Sequence, residues 1–155
     1  MKRYIGTKII AGKPLSLGAY NEYRGWKIPE NEDPNREGYL VQYEDGYLSW
    51  SPKEQFEEAY RETDGLNFGL AVEAMKKGMK AAREGWNGAG MYATIMPGYP
   101  EGIPANKNTA ISHGIPEGTI LKFRPYFQLF TAQGDIAMWA PSGSDALADD
   151  WQIVE

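Results

Sequence analysis

Cysteine is missing from all 155 residues. Its absence excludes disulfides, thiolate zinc sites and thiol nucleophiles, and makes a reducing cytoplasm the expected compartment. Histidine occurs once, as His113 in a Gly- and Pro-rich stretch. A metal site there would need oxygen ligands that no spacing supplies, so a surface position is expected. No apolar run approaches the roughly 20 residues that cross a bilayer. The opening Met1-Lys2-Arg3-Tyr4-Ile5-Gly6 is basic, but the apolar core of a signal peptide does not follow. Basic residues are outnumbered 16 to 21, giving a formal charge of -5. No basic stripe offsets this, so neither DNA nor RNA is an expected partner. A small anion is still compatible, because backbone N–H groups and one arginine can hold a phosphate locally. There is no Walker loop and no GxGxxG after a strand. Ser142 and Ser144 have no base nearby in sequence. No catalytic set, metal or cofactor is therefore expected.

Aromatic residues, by contrast, are plentiful: five Trp, ten Tyr and five Phe. They fill cores and also stack on bases. With 42% hydrophobic residues the chain should fold. The pattern predicts an α+β protein in two modules. The first, residues 1–61, starts with a strand over Tyr4 to Ala11 and a helical turn over Ser16 to Tyr20. A polar loop, Ile28 to Gly38, follows. Asp45-Gly46 suits a two-residue type I′ hairpin turn, which would pair Tyr43 with Leu48 and Val41 with Trp50. Ser51, Pro52 and Glu54 read as a capping box at N-cap, N1 and N3, with Phe56, Ala59 and Tyr60 as the buried stripe. Residues 62–65 form a polar linker.

The second module, residues 66–155, opens with a helix capped by Asn67, buried through Leu70, Ala71, Ala74 and Met75, and ended by Gly78. Strands are expected at Lys80 to Arg83, Met91 to Met96, Thr119 to Thr131, Ile136 to Ala140 and Trp151 to Val154, with a loop from Pro97 to Gly118 and a short turn of helix capped by Ser144. A Gln133-Gly134 turn would pair Thr131 with Ile136, Leu129 with Met138 and Phe127 with Ala140. The opposite face would then carry Tyr126, Gln128, Phe130, Ala137 and Trp139. Both faces are apolar, and one helix covers only one of them. The other needs a partner: the first module, a second copy of the chain, or a ligand.

Two segments are unusual for pure scaffold. In Arg83-Glu84-Gly85-Trp86-Asn87-Gly88 an indole sits in a Gly-rich loop beside an arginine and an amide. Trp86 offers a stacking face, Asn87 a donor and an acceptor, and Arg83 a phosphate partner. The same residues also suit a hairpin corner whose Trp plugs the core. Trp139-Ala140-Pro141-Ser142-Gly143-Ser144-Asp145 places an aromatic, two hydroxyls and a carboxylate at a strand end. That set suits sugar hydroxyls and an adenine amine, but a capped turn is the simpler reading.

These segments, with Gly114-Ile115-Pro116-Glu117-Gly118-Thr119, Arg124-Pro125-Tyr126, Thr131-Ala132-Gln133-Gly134 and Leu147-Ala148-Asp149-Asp150-Trp151, occur in an order that resembles the type-two Thoeris anti-defence family of phage and prophage proteins. The resemblance covers residues 66–155. It implies a homotetramer of helix-on-antiparallel-sheet domains that binds a cyclic ADP-ribose variant made by TIR enzymes, without cleaving it, in the host cytoplasm. For some members it implies capture of cyclic dinucleotide or trinucleotide signals as well. Carried across by motif, Arg83, Trp86, Asn87, Trp139, Ser142 and Asp145 line the ligand. The chain departs from the family pattern at Gly143, where a glutamine is common. Residues 1–61 resemble an accessory segment of small phage proteins with no assigned role. Two other readings compete: a nucleotide-processing enzyme using Asp145 and Asp150, and a phage structural protein whose aromatic face is only an interface.

Overall fold

The computed structural model describes residues 1–155. It is α+β and separates into two compact units, Met1–Arg61 and Glu62–Glu155.

In the first unit, β1 (Ala11–Pro14), β2 (Gly38–Gln42) and β3 (Leu48–Pro52) form an antiparallel sheet in that order. The expected strand at Tyr4–Ala11 is displaced toward the C-terminus, because only Ala11 to Pro14 find partners on β2. Helix α1 (Leu17–Arg24) is longer than the expected turn. Ser16 caps it by accepting from the Ala19 N–H, and Gly25 closes it in the left-handed region. Helix α2 (Lys53–Ala59) starts one residue later than expected. Ser51 is committed to β3, Pro52 occupies the cap position, and no capping box forms. Phe56 stacks on Tyr39 with centroids 4.1 Å apart and contacts Tyr60 at 5.0 Å, while Ala59 is exposed.

The second unit is built on a five-stranded antiparallel sheet. Its order is β10 (Trp151–Val154), β4 (Lys80–Arg83), β5 (Tyr92–Met96), β8 (Tyr126–Phe130) and β9 (Ile136–Met138). Helix α3 (Phe68–Lys76) covers one face, with Asn67 as its N-cap through Leu70 N–H. Ala71, Ala74 and Met75 are buried, and the core adds Leu66, Ala81, Ala93 and the fully buried Trp151. Small residues at Ala71, Ala81 and Ala93 let the helix come close to the sheet, and large aromatics fill the flanks. The Pro97–Gly118 region is not a loop. It holds β6 (Tyr99–Pro104), which pairs with β7 (Ile120–Phe123) as a separate ribbon, and α4 (Lys107–His113). Asn106 caps α4 and Gly114 ends it. His113 is the last, exposed residue of that helix. Arg124-Pro125 divides the long expected strand into β7 and β8, as a residue without an N–H would.

Both hairpins differ from expectation in the same way. Tyr43 pairs with Tyr47 around Glu44-Asp45-Gly46, and Thr131 with Asp135 around Ala132-Gln133-Gly134. A type I′ turn needs positive φ at both central residues, and only glycines have positive φ in this chain. A three-residue loop needs it only at its last position, where Gly46 has φ 82 and Gly134 has φ 85. The register therefore shifts by one: Leu40 faces Trp50 and Val41 faces Ser49; Leu129 faces Ala137 and Gln128 faces Met138. A shift of one changes which side chains share a face. Phe127, Leu129, Ala137 and Trp139 now lie on the helix side, with Trp139 N–H donating to Phe127 C=O at 3.1 Å. The opposite face carries Tyr92, Met96, Tyr126, Phe130, Ile136 and Met138. Ile136 is 66% and Met138 79% exposed, and α3 packs on the other face, so no helix of this unit covers them.

Gly134→Ala should destabilise the second unit by about 1–2 kcal/mol through left-handed strain, and Gly134→Asn by less. Thermal melts of the two variants check this. Equal, negligible shifts would mean that the turn relaxes without cost.

Candidate functional site

Strand β4 ends at Arg83, where antiparallel pairing sets it opposite Trp151. The ladder continues one step further, because the Glu84 N–H donates to the Asp150 C=O at 3.1 Å. Helix α5 (Gly143–Ala146) lies against this end of the sheet. It is a single turn held by a capping box: Asp145 N–H donates to Ser142 Oγ at 3.1 Å, and Ser142 N–H donates back to Asp145 Oδ2 at 3.1 Å. Ser142, not Ser144 as expected, is therefore the cap. It begins the turn immediately after Pro141, and its Asp sits at N3.

Asp145 is the centre of the corner and is nearly buried, at 9% exposure. Oδ1 accepts from Arg83 Nη1 at 2.9 Å and from Trp86 Nε1 at 3.0 Å. Oδ2 accepts from the Ser142 hydroxyl at 2.8 Å as well as its N–H. The Asp145 C=O takes the Trp151 indole N–H at 2.9 Å. Asp150 holds the other side of Arg83: Oδ1 accepts from Nε at 2.7 Å, and Oδ2 from Nη2 at 3.3 Å and from the Gly85 N–H at 2.9 Å. One guanidinium thus bridges two carboxylates, a use of its planar fork that lysine could not copy.

Burial alone would push the Asp145 carboxyl up. The hydrogen bonds from Trp86, Arg83 and Ser142 outweigh it and hold the group at about 2. The Arg83 hydrogen bonds lower Asp150 too, and both carboxylates raise Arg83.

The aromatic side of the corner is a cluster. Trp86 meets Trp139 edge-on at 5.8 Å and Trp151 at 5.3 Å. Trp139 also packs on Phe68 at 6.4 Å and Phe127 at 5.7 Å. Five of the six residues expected to line a ligand, Arg83, Trp86, Trp139, Ser142 and Asp145, are therefore brought together, with their polar side-chain groups paired inside the chain except for the Trp139 indole. Asn87 is the exception: it is exposed, on the Gly85–Gly90 loop. Asp150, expected beside Asp145 only in the competing enzyme reading, and Trp151, expected only as a strand residue, also belong to the corner. Their adjacency in the Asp-Trp pair was the available signal. No group of three or more Asp, Glu or His side chains gathers to hold a metal ion.

Asp145 has a lower pKa folded, about 2, than unfolded, near ~3.9. The unfolded chain therefore binds more protons between these values, and stability falls as pH falls through this window. The contribution is fully present above the unfolded value and amounts to on the order of 2 kcal/mol. Asp145→Asn should cost about 2–3 kcal/mol at neutral pH and flatten the acid limb of the melting-temperature profile, leaving the part due to Asp150. An unchanged acid limb would show that Asp145 does not carry this linkage.

The model of the Thoeris anti-defense 2-like domain matches residues 66–154. Thoeris anti-defense 2 of Bacillus phage SP01 is 33% identical over 89 residues, covering 57% of this chain and 94% of that protein. The matched span contains Arg83, Trp86, Ser142, Asp145, Asp150 and Trp151, while residues 1–61 lie outside it. The chain belongs to the Thoeris anti-defense 2-like family.

Proposed function

We propose that the protein binds a nucleotide immune signal of the cyclic ADP-ribose type and retains it uncleaved, so that the signal never reaches its effector. Cyclic dinucleotides and trinucleotides are further candidate ligands of the same kind. The sink acts in the host cytoplasm; no helix is long and apolar enough to cross a membrane.

The observation that carries this reading is the state of the two carboxylates. A competing enzyme would use Asp145 and Asp150 as acid and base. A general acid or base works best with a pKa near the operating pH. Asp145 is held at about 2, so at neutral pH it has no proton to give and little affinity for one. Both carboxylates are occupied by Arg83. A binding protein needs neither group to titrate. It gains instead from a rigid aromatic and polar frame whose ordering cost is met on folding. In this scheme Asn87 and the accessible part of Trp86 touch the ligand. Arg83, Trp139, Ser142 and Asp145 shape the wall behind them. Gly143 leaves open space next to the Ser142 cap, since a Cβ there would meet nothing within 4 Å.

We assign the exposed sheet face to contacts between copies in a homotetramer, with ligand enclosed between subunits. Its Tyr, Phe, Met and Ile side chains form an apolar surface of the kind that monomers seldom leave open. Residues 1–61 form a separate accessory unit that is dispensable for capture.

Prolonged incubation of equimolar protein with glycocyclic ADP-ribose, then denaturation and chromatography, should return the nucleotide unchanged. Linear product appearing in proportion to protein would place the chain among enzymes. Light scattering at micromolar concentration should give a mass near four copies of the 17.3 kDa chain. A stable monomer would remove the enclosed site.

A further inference from the structure

The Gly85–Gly90 loop is exposed along most of its length, including Asn87, Ala89 and Gly90. The hydrogen bonds that hold it sit at its base. Trp86 N–H closes a turn onto Arg83 C=O at 3.3 Å, and Gly85 N–H donates to Asp150 Oδ2 at 2.9 Å. The same carboxylate grips Arg83 at Nε and Nη2, and the Asp150 main chain accepts from Glu84 N–H. Asp150 is thus attached to three consecutive residues, Arg83, Glu84 and Gly85. The approach is close at the third: a Cβ on Gly85 would stand 2.9 Å from Asp150 Oδ2, so a side chain there would push the carboxylate off the amide.

We propose that Asp150 is a positioning residue for ligand capture, fixing the Trp86-Asn87 turn by clamping the Gly85 amide to the Arg83 guanidinium. This rests on the sequestering function proposed above and deepens it. The two carboxylates divide the task. Asp145 anchors the Trp86 ring to α5, whereas Asp150 anchors the backbone from which Asn87 projects. Without Asp150 the ring stays tied and Arg83 keeps Asp145, so the corner survives, but the Gly85 amide is released. The loop then samples more conformations before binding, and affinity falls because ordering is deferred to the binding step.

The test uses the full chain and glycocyclic ADP-ribose as probe. Calorimetry is run on the parent, Asp150→Ala, Asp150→Asn, Gly85→Ala and the Asp150→Ala/Gly85→Ala double variant, with sizing, melts and hydrogen exchange of the 84–90 amides. Asp150→Ala should weaken binding about tenfold or more while the assembly stays intact and exchange in the loop accelerates. Asp150→Asn retains an acceptor for the Gly85 N–H and should recover most of the affinity. Gly85→Ala should reproduce the loss, and adding it to Asp150→Ala should cost nothing further. Parent-like binding by assembled Asp150→Ala overturns the proposal. If that variant fails to assemble, parent-like binding by Gly85→Ala with accelerated exchange of the 84–90 amides overturns it instead. A parent that does not bind the probe overturns the sequestering reading, and this inference with it.

Discussion

A buried carboxylate must be compensated or expelled, and the site end of this fold is organised around compensating one. Asp145 accepts from an arginine, an indole, a hydroxyl and a backbone amide, while its own carbonyl takes the indole of Trp151. These bonds join β4, the Gly85 loop, α5 and the start of β10. Unpaired, such a charge would cost several kcal/mol. Paired in this way, it fixes four elements relative to one another. The aromatic cluster of Trp86, Trp139 and Trp151 fills the apolar space beside it, so the polar and apolar parts of the corner share the indoles of Trp86 and Trp151.

This arrangement explains why residues that look like a binding set in sequence serve first as a frame. Arg83, Ser142 and Asp145 have the chemistry to meet a phosphate or a ribose, but their donors and acceptors already meet each other. In the proposed sequestering role, a frame already complete before binding lowers the ordering cost of taking up a ligand. The second unit belongs to an anti-defence family, and the sequestering role proposed above is consistent with that membership.

Much of the second unit was legible in the sequence. Asn67 and Gly78 bound α3, and the apolar spacing of Leu70, Ala71, Ala74 and Met75 gave its face. The coincidence of Arg83, Trp86 and Asp145 was visible only as two suggestive segments, since nothing local shows that residues 62 or 59 positions apart will bond. The hairpin registers differ from those that two-residue Asp-Gly and Gln-Gly turns would give. Asp45 and Gln133 decline the positive φ that this requires, and each chain reversal takes one more residue. Helix α4 was hidden by flanking Pro and Gly, although its Asn106 cap and Gly114 stop were both present. The capping box expected at Ser51 failed because that residue was needed by β3, whose pairing with β2 outweighs a single cap bond. At Ser51 a strand partner overrode a sound local signal.

The most direct measurement is mass spectrometry of the small molecules that co-purify with the protein from cells whose TIR defence is active. The account predicts an intact cyclic ADP-ribose-type nucleotide, absent when the protein is purified from cells lacking that defence. Recovery of the protein free of nucleotide, or carrying only a linear product, would contradict it.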